Sequence, residues 1–179
     1  MPLTIKRIGK KFADRKIVKK LYKTAFPRNE RMRFRTLEKS ADSAMVEWLA
    51  YYNDGKFVGF SYLSFDDAIA YLFYFAVHDE SRSKGYGSEI LADIKRRHAD
   101  KIIVLDIEAC GDAAKNREQR LRRRDFYFRN GFADAGFDSN YHGVHYDTLL
   151  YGGECSKARL MQLFKKYRRE VLGERVKDK

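Results

Sequence analysis

Residues 81–88 have the types and the spacing of an anion-binding turn. Gly85 and Gly87 let the backbone approach a phosphate closely, because a glycine has no Cβ atom in the way. Arg82 and Lys84 add positive charge beside the main-chain amides. If the turn opens a helix, the free N–H groups and the dipole of the first helical turn also attract an anion. The sequence therefore predicts a phosphate-binding turn.

The segments on either side of this turn predict the elements that would hold it. Residues 71–77 form a short, apolar and aromatic run, which is typical of a buried strand. Ile90, Leu91 and Ile94 then recur with the spacing of one face of a helix. A turn between these segments would present its amides where the strand ends and the helix begins.

Hydrophobic periodicity along the whole chain predicts an α/β fold with a mixed, mainly antiparallel central sheet flanked by helices. Asp54 and Gly55, between two aromatic and β-branched runs, predict a two-residue hairpin turn. Ser139 and Asn140 predict a turn between the last two strands. The predicted strands cover residues 3–8, 44–53, 56–64, 69–77, 101–109, 132–137 and 143–151. The predicted helices cover residues 12–25, 31–40, 85–98, 116–130 and 152–172.

The length and composition predict a single domain over residues 1–179, with 152–172 as a C-terminal helix and 173–179 as a frayed tail. The chain is 44% hydrophobic and 15% aromatic, which is enough to bury a core. Its longest apolar runs are shorter than the roughly 18 residues of a membrane span, and no signal-peptide pattern opens the sequence. Cys110 and Cys155 lack metal-ligand spacing. We therefore expect a cytoplasmic protein without a metal site or a membrane contact.

The net charge of +12 indicates either an anionic partner or a solvated basic surface. Residues 117–129 hold six arginines, and residues 156–179 carry nine basic residues against three acidic ones. Nucleic acid would fit these clusters, but no zinc, RNP-type or helix-turn-helix signature accompanies them. A bound polyanionic small molecule together with a solvated basic face is the favoured interpretation.

Three motifs resemble those of the GNAT superfamily, the acyl-CoA-dependent N-acyltransferases. Residues 82–87 are similar to the family's R/Q-x-x-G-x-G/A pyrophosphate loop, and residues 126–132 to its F-Y-x-x-x-G-F motif. Residues 105–108 resemble the strand that precedes the second motif, and residues 25–32 resemble a segment of small bacterial members. The loop alone is a weak signal, but in combination with the tyrosine motif it is specific for the superfamily.

This resemblance implies acetyl-CoA as the cofactor and a set of residues that bind it. The amides of the loop would hold the pyrophosphate, and the backbone of the preceding strand would pair with the pantetheine arm. The implied cofactor-binding residues are Phe75, Ala76, Val77, Arg82, Ser83, Lys84, Gly85, Tyr86, Gly87, Ser88 and Asn116. Many family members place an asparagine about seven residues before the motif tyrosine. Asn116 departs from this pattern, because it precedes Tyr127 by eleven residues and the expected position holds Arg120.

The resemblance also implies that Tyr127 is the general acid, which protonates the thiolate leaving group. A tyrosine with an ordinary pKa of about 10 holds its proton at neutral pH. A tyrosine flanked by two phenylalanines is also typical of a packed core, but the motif favours the functional role. Glu108 is the candidate general base, because it shares one face of its strand with Asp106 and lies nearer the carboxyl end. The alternatives for the base are Glu47, His78 and water.

The predicted function is direct transfer of an acetyl group from acetyl-CoA to the primary amine of a small molecule, in a ternary complex. The acceptor would lie against residues 26–35 and an aromatic group made of Trp48, Tyr51 and Tyr52. Two alternatives stay open. One is a protein lysine or N-terminal acetyltransferase, and the other is a catalytically weak nucleic-acid-binding or regulatory module on the same fold. The C-terminal helix would be the contact of a homodimer.

Overall fold

A seven-stranded sheet forms the centre of the protein in the described residues, which are 3–110, 116–141 and 143–175 of a computed structural model. The strands, in chain order, are β1 (Thr4–Arg7), β2 (Val46–Asn53), β3 (Lys56–Phe65), β4 (Ile69–Val77), β5 (Ile102–Glu108), β6 (Ala133–Tyr141) and β7 (Val144–Tyr151). The helices within the same residues are α1 (Arg15–Ala25), α2 (Phe34–Ser40), α3 (Tyr86–Arg97), α4 (Arg117–Arg129) and α5 (Lys157–Lys166). Their order along the chain is the predicted one.

The strands lie in the order β1-β2-β3-β4-β5-β7-β6, and every neighbouring pair is antiparallel except β4 and β5. This confirms the predicted mixed, mainly antiparallel sheet. The connection from β4 to β5 runs through α3, because two parallel strands need a long crossover. The predicted hairpin turn between β2 and β3 is also present. Asp54 and Gly55 both have positive φ, at 47° and 75°, as a type I′ turn requires.

Helices cover both faces of the sheet and bury separate apolar clusters. Trp48 of β2 packs with α1 and α2, whereas the adjacent Leu49 packs with α3 and α4, because successive strand residues point to opposite faces. On β5, Val104 packs against α5 and Leu105 packs with α3 and α4. We call the side that carries α1, α2 and α5 the α1 face, and the side that carries α3 and α4 the α4 face. By the same alternation, Glu108 lies on the α1 face.

The predicted turn at Ser139 and Asn140 is wrong, because both residues lie inside β6. They pair with Tyr146 and His145 of β7, and the hairpin closes beyond Tyr141. β6 does contain an irregularity, but it is a bulge earlier in the strand, between Asp134 and Asp138, which the sequence analysis did not predict. There Gly136 has a φ of +73° and donates its N–H to the Asp134 carboxylate at 2.9 Å. Gly136 thus produces a kink within β6 and does not end the strand.

The C-terminal helix lies within the predicted range of 152–172. Its first turn is capped by Ser156, whose hydroxyl accepts the Arg159 N–H at 3.2 Å, and α5 continues into a π-helical turn, Tyr167–Val171. Tyr167 is buried and joins the cluster beneath α1. Of the predicted tail, residues 176–179 lie outside the described residues.

Candidate active site

The two parallel strands of the sheet separate halfway along their length. β4 and β5 pair only through Ile69–Tyr71 and Ile102–Val104. Beyond that point β4 stays paired with β3, and β5 stays paired with β7. A register shift between β3 and β4 coincides with the separation, and such bulges increase the local twist of a strand. We call the opening that results the β4–β5 gap.

Beyond Tyr71, the edge of β4 that faces β5 presents unpaired main-chain N–H and C=O groups to this gap. The His78 N–H donates to the Val58 carbonyl of β3 at 2.7 Å. Because the N–H and C=O groups of successive strand residues point to opposite sides, Ala76 also faces β3, whereas Phe75 and Val77 face the gap. Of the three predicted strand residues, Phe75 and Val77 therefore offer their backbone to an extended ligand, and Ala76 holds the strand in the sheet.

The predicted phosphate-binding turn lies between β4 and α3. Ser83 and Gly85 have positive φ values of 59° and 85°, and Gly85 is the residue that precedes the helix. Within the described chain, no group accepts the N–H groups of residues 83–87, whereas the Ser88 N–H donates to the Gly85 carbonyl at 3.0 Å. Consecutive free amides around a left-handed residue form a concave anion site. A positive φ at a non-glycine residue such as Ser83 is typical of functional turns.

The charged and aromatic residues of the turn are placed differently. Arg82 and Lys84 are exposed, and the Arg82 guanidinium pairs with the Asp79 carboxylate at 2.8 Å. Tyr86, at the start of α3, packs at the edge of the core on the α4 face. The charge of Arg82 is thus partly balanced by Asp79, and the main-chain amides and Lys84 add to the attraction for an anion.

Gly87 brings α3, β4 and α4 together. A Cβ atom at this position would lie 3.1 Å from the ring of Phe126. That ring stacks on Phe75, with 6.3 Å between centroids and an angle of 24°. The turn, the strand edge and the tyrosine helix, which are separate in the sequence, therefore meet around one aromatic pair.

Tyr127 follows Phe126 and lies on the α4 face with 8% of its surface exposed. Its ring packs edge-on against Phe126 and Phe132. Burial raises the pKa of Tyr127 to about 12, although the charge of Arg123 acts in the opposite direction. No hydrogen bond to its hydroxyl is formed by the residues that the structure describes. The phenol is therefore protonated at neutral pH and holds a proton that no described protein group shares.

Glu108, the predicted base, is held by two arginines of α4. One carboxylate oxygen accepts from Arg120 at 2.8 Å and the other from Arg123 at 3.3 Å, and only 14% of the side chain is exposed. Arg120 also donates to the Ala109 carbonyl at 2.8 Å and to the Asn116 side chain at 2.9 Å. Asn116 is exposed, and its side chain helps to position Arg120 through this hydrogen bond. The base role of Glu108 and the cofactor role of Asn116 stay predictions.

Glu30 joins this group, although the sequence patterns did not single it out. It lies in a short 3-10 turn, Arg28–Glu30, after α1, and its carboxylate lies near the Tyr146 hydroxyl of β7. Tyr146 pairs with Glu108 across β5 and β7, which places the two side chains on the same face. Burial raises the pKa of Glu30. The one sequence signal for it was the resemblance of residues 25–32 to small family members, which names a segment and no residue.

The other candidates lie away from the gap. Glu47 pairs with His98 at 3.2 Å. Trp48, Tyr51 and Tyr52 are buried at 1%, 0% and 3% exposure, so the expectation that this aromatic group lines an acceptor pocket is wrong. They pack the sheet because β2 is an inner strand covered on both faces.

Four of the six arginines of α4 pair with carboxylates of the same chain. Arg120 and Arg123 bind Glu108, Arg122 pairs with Glu118 at 2.9 Å, and Arg124 pairs with Asp134 and Asp147 at 3.0 and 2.7 Å. These ion pairs account for much of the predicted basic patch. Among the described residues, no group of three or more His, Cys, Asp or Glu side chains is placed to hold a metal ion, and no helix there is long and apolar enough to cross a membrane.

The chain is similar to known proteins in both sequence and fold. Residues 45–134 match the acetyltransferase (GNAT) domain family. The fold is similar to that of a GNAT-family acetyltransferase from Bacteroides thetaiotaomicron, with a TM-score of 0.76 at 20% identity over 96% of this chain and 99% of that one. No curated protein matches the sequence.

Two further solved structures share the fold. One is an aminoglycoside 6'-N-acetyltransferase complexed with coenzyme A, with a TM-score of 0.60 at 12% identity over 83% of this chain and 96% of that one. The other is the ribosomal-protein-S18-alanine N-acetyltransferase from Escherichia coli, with a TM-score of 0.62 at 18% identity over 86% of this chain and 96% of that one. At these identities the likeness establishes the fold.

Proposed function

Because this chain belongs to the GNAT acetyltransferase family, we propose that it transfers an acetyl group from acetyl-CoA to the primary amine of a small molecule. The transfer is direct, with both substrates bound at once in the β4–β5 gap. The observation that supports the proposal most is that the unpaired edge of β4 runs directly into the turn lined with free amides. One ligand can lie along the edge and end in the turn.

The chemistry of these groups fits acetyl-CoA. The backbone groups of Phe75 and Val77 face the gap and can pair with the amides of a pantetheine arm, as one strand pairs with another. The free amides of residues 83–87 can hold a pyrophosphate, with Arg82 and Lys84 beside it. When bound, acetyl-CoA supplies the acetyl group as a thioester.

Tyr127 is proposed to supply the proton that the sulfur atom needs when the C–S bond breaks. Three features support this role: its place on α4 beside Phe126 and the gap, a hydroxyl without a described partner, and a raised pKa that keeps the proton on the phenol. The strand edge and the turn would hold the thioester of acetyl-CoA near the Tyr127 hydroxyl. Such positioning supplies a large share of an enzyme's rate enhancement.

A peptide N-terminus or lysine is the second candidate acceptor. The specific observation for it is the likeness to the ribosomal-protein-S18-alanine N-acetyltransferase and to Arabidopsis thaliana Naa50, which was solved in complex with the bisubstrate analogue CoA-Ac-MVNAL. The strongly basic chain disfavours basic peptides, which would be repelled. The cytoplasmic location, the single domain and the homodimer predicted from the sequence stay predictions.

The test is a measurement of CoA thiol release from acetyl-CoA with a panel of acceptors. The panel contains aminoglycosides, polyamines, amino acids and short peptides with free N-termini. We expect turnover with a small amine, together with thermal stabilisation of the protein by CoA. Turnover confined to the peptides would favour the second candidate. The enzyme proposal is wrong if acetyl-CoA neither stabilises the protein nor reacts with any acceptor.

A further inference from the structure

Nearly all of the net positive charge of the chain lies in residues 6–39, the stretch that includes α1 and α2. These residues contain fourteen Lys and Arg against three Asp and Glu, whereas the rest of the chain contains twenty-three against twenty-two. The stretch is separate from the two basic clusters, 117–129 and 156–179, that the sequence analysis singled out. The charge of this protein is therefore concentrated on one part of its surface.

α1 directs a row of lysines away from the core. Val18 and Leu21 are buried on the side of the helix that packs on the sheet. Lys16, Lys20 and Lys23 are exposed, and their spacing of four and three residues places them on one side of the helix. The row is about 10 Å long at 1.5 Å per residue. The helix itself contains no Asp or Glu that could neutralise it.

α2 lies beside α1 and extends this surface. The Arg15 guanidinium of α1 donates to the Glu38 carboxylate of α2 at 2.9 Å, so the two helices are in contact. Arg35 and Lys39 are four residues apart on α2, and both are exposed. We define the α1–α2 basic surface as Lys16, Lys20, Lys23, Arg35 and Lys39.

The cations of the α1–α2 basic surface differ from the arginines of α4 in their partners. Arg120 and Arg123 both bind Glu108. In the part of the chain that the structure describes, no cation of the α1–α2 basic surface forms an ion pair. Like charges at positions i and i+4, such as Lys16 and Lys20, repel each other and destabilise a helix. A bound anion would remove that repulsion.

The side chains beside these cations indicate which kind of polyanion fits. No large hydrophobic side chain is exposed within residues 6–39, and those exposed elsewhere in the described chain are Phe128, Tyr141 and Met161. A helix that binds a membrane surface needs an exposed apolar face, and a single-stranded nucleic acid is held by stacking on aromatic rings. A duplex stacks its bases inside and presents phosphates outside, so cations alone can bind it.

We propose that the α1–α2 basic surface binds a nucleic-acid duplex through its phosphate groups, without reading the base sequence. The partner is recognised by the regular array of phosphates that DNA and RNA duplexes share. The proposal does not depend on acetyl transfer. α1 and α2 lie on the α1 face, whereas the glycine turn leads into α3 on the α4 face, so a duplex and CoA would occupy different sites.

The test measures binding of the full chain to a short fluorescent DNA duplex of mixed sequence, by anisotropy over a range of salt concentrations. The variant Lys16→Ala/Lys20→Ala/Lys23→Ala removes the lysine row. At about 0.1 M salt its affinity should fall by at least about tenfold, because each phosphate contact releases condensed counterions. The slope of log affinity against log salt should become smaller by about 3, or about one per lost contact.

The matched control is Arg96→Ala/Arg122→Ala/Arg129→Ala, which removes the same charge from exposed residues of α3 and α4. It should bind the duplex like the wild type. Thermal unfolding followed by circular dichroism should stay cooperative in both variants, because the replaced side chains are exposed. Equal weakening in both variants would overturn the proposal, since net charge and not this surface would then determine binding.

Three further measurements decide the nature of the partner. An RNA duplex of the same sequence should bind with a similar affinity, and strict preference for one duplex would overturn recognition by phosphates alone. Saturating CoA should leave duplex binding unchanged, whereas competition would place the duplex at the glycine turn. Binding to phosphatidylserine vesicles without binding to either duplex would replace the proposal with a membrane partner. None of these failures affects the proposed acetyl transfer, which is measured separately by CoA release.

Discussion

The proposed donor side and the proposed acceptor side of the β4–β5 gap are built from different kinds of groups. The donor side consists of main-chain amides and carbonyls from two adjacent stretches, the end of β4 and residues 83–87. The proposed acceptor side consists of side chains from separate elements, such as Glu108 of β5 and Tyr146 of β7. The first depends on backbone conformation and the second on residue identity. Substitutions can therefore retune the acceptor while the donor site stays intact.

Tyr127→Phe tests whether the proposed general acid acts in catalysis without contributing to the binding of either substrate. It has the largest expected effect of these substitutions. Loss of the hydroxyl should lower kcat by about 100-fold, because it removes the proposed proton donor and no described group is hydrogen-bonded to it that could supply the proton instead. Affinity for CoA, measured by calorimetry, should stay unchanged. Tyr51→Phe is the control, since it removes a buried phenol of the same core cluster that bonds Ser61 at 3.1 Å. Normal turnover in Tyr127→Phe would remove its catalytic role.

Gly59→Ala tests how far the donor side depends on the position of the β4 backbone. A Cβ atom there would lie 2.4 Å from the Ala76 carbonyl oxygen, so β3 and β4 must move apart. We expect the free energy of unfolding to fall by about 2 kcal/mol and CoA affinity to fall with it. Gly9→Ala has nothing within 4 Å and serves as the control. Denaturant unfolding and calorimetry measure the two effects, and wild-type stability in Gly59→Ala would contradict this account of the strand.

Gly85→Ala tests the amide turn itself. The φ of +85° costs a residue with a Cβ about 1 kcal/mol, so the turn should relax and CoA affinity should weaken by roughly five-fold. The KM for the acceptor should not change. Gly136→Ala is the matched control, because Gly136 has a similar φ of +73° and open space around it but lies in β6. Equal CoA affinity in the two variants would argue against a phosphate site in the turn.

Asn116→Ala has the smallest expected effect and decides between two roles of that residue. Its side chain accepts from Arg120, which keeps two other partners, and it makes no capping hydrogen bond to α4. Loss of this bond should weaken CoA binding by about two-fold or less. Gln119→Ala, on the exposed surface of the same helix, is the control. A tenfold loss of CoA affinity in Asn116→Ala alone would instead support the cofactor role that the family resemblance implies.

The elements of the fold were predictable because their signals are local. Apolar periodicity placed every strand and helix in the right order, and Asp54-Gly55 specified a turn that only positive φ values allow. The turn at Ser139 and Asn140 was wrong for the opposite reason. Its residues favour a turn, but pairing with β7 and the bond from Ser139 to Asp106 at 3.0 Å keep them in the strand. Tertiary contacts there outweigh local preference.

The sequence by itself determined the family, the order of elements and the position of the glycine turn that is proposed to bind a phosphate. These depend on short motifs whose residues are neighbours along the chain. Only the tertiary structure decided which carboxylates meet at the gap. Glu108 is bound by two arginines that lie 12 and 15 residues away, and it lies beside Tyr146 of β7, which belongs to a later part of the chain. The acceptor side therefore could not be read from spacing, because side chains from distant segments become neighbours only when the sheet has formed.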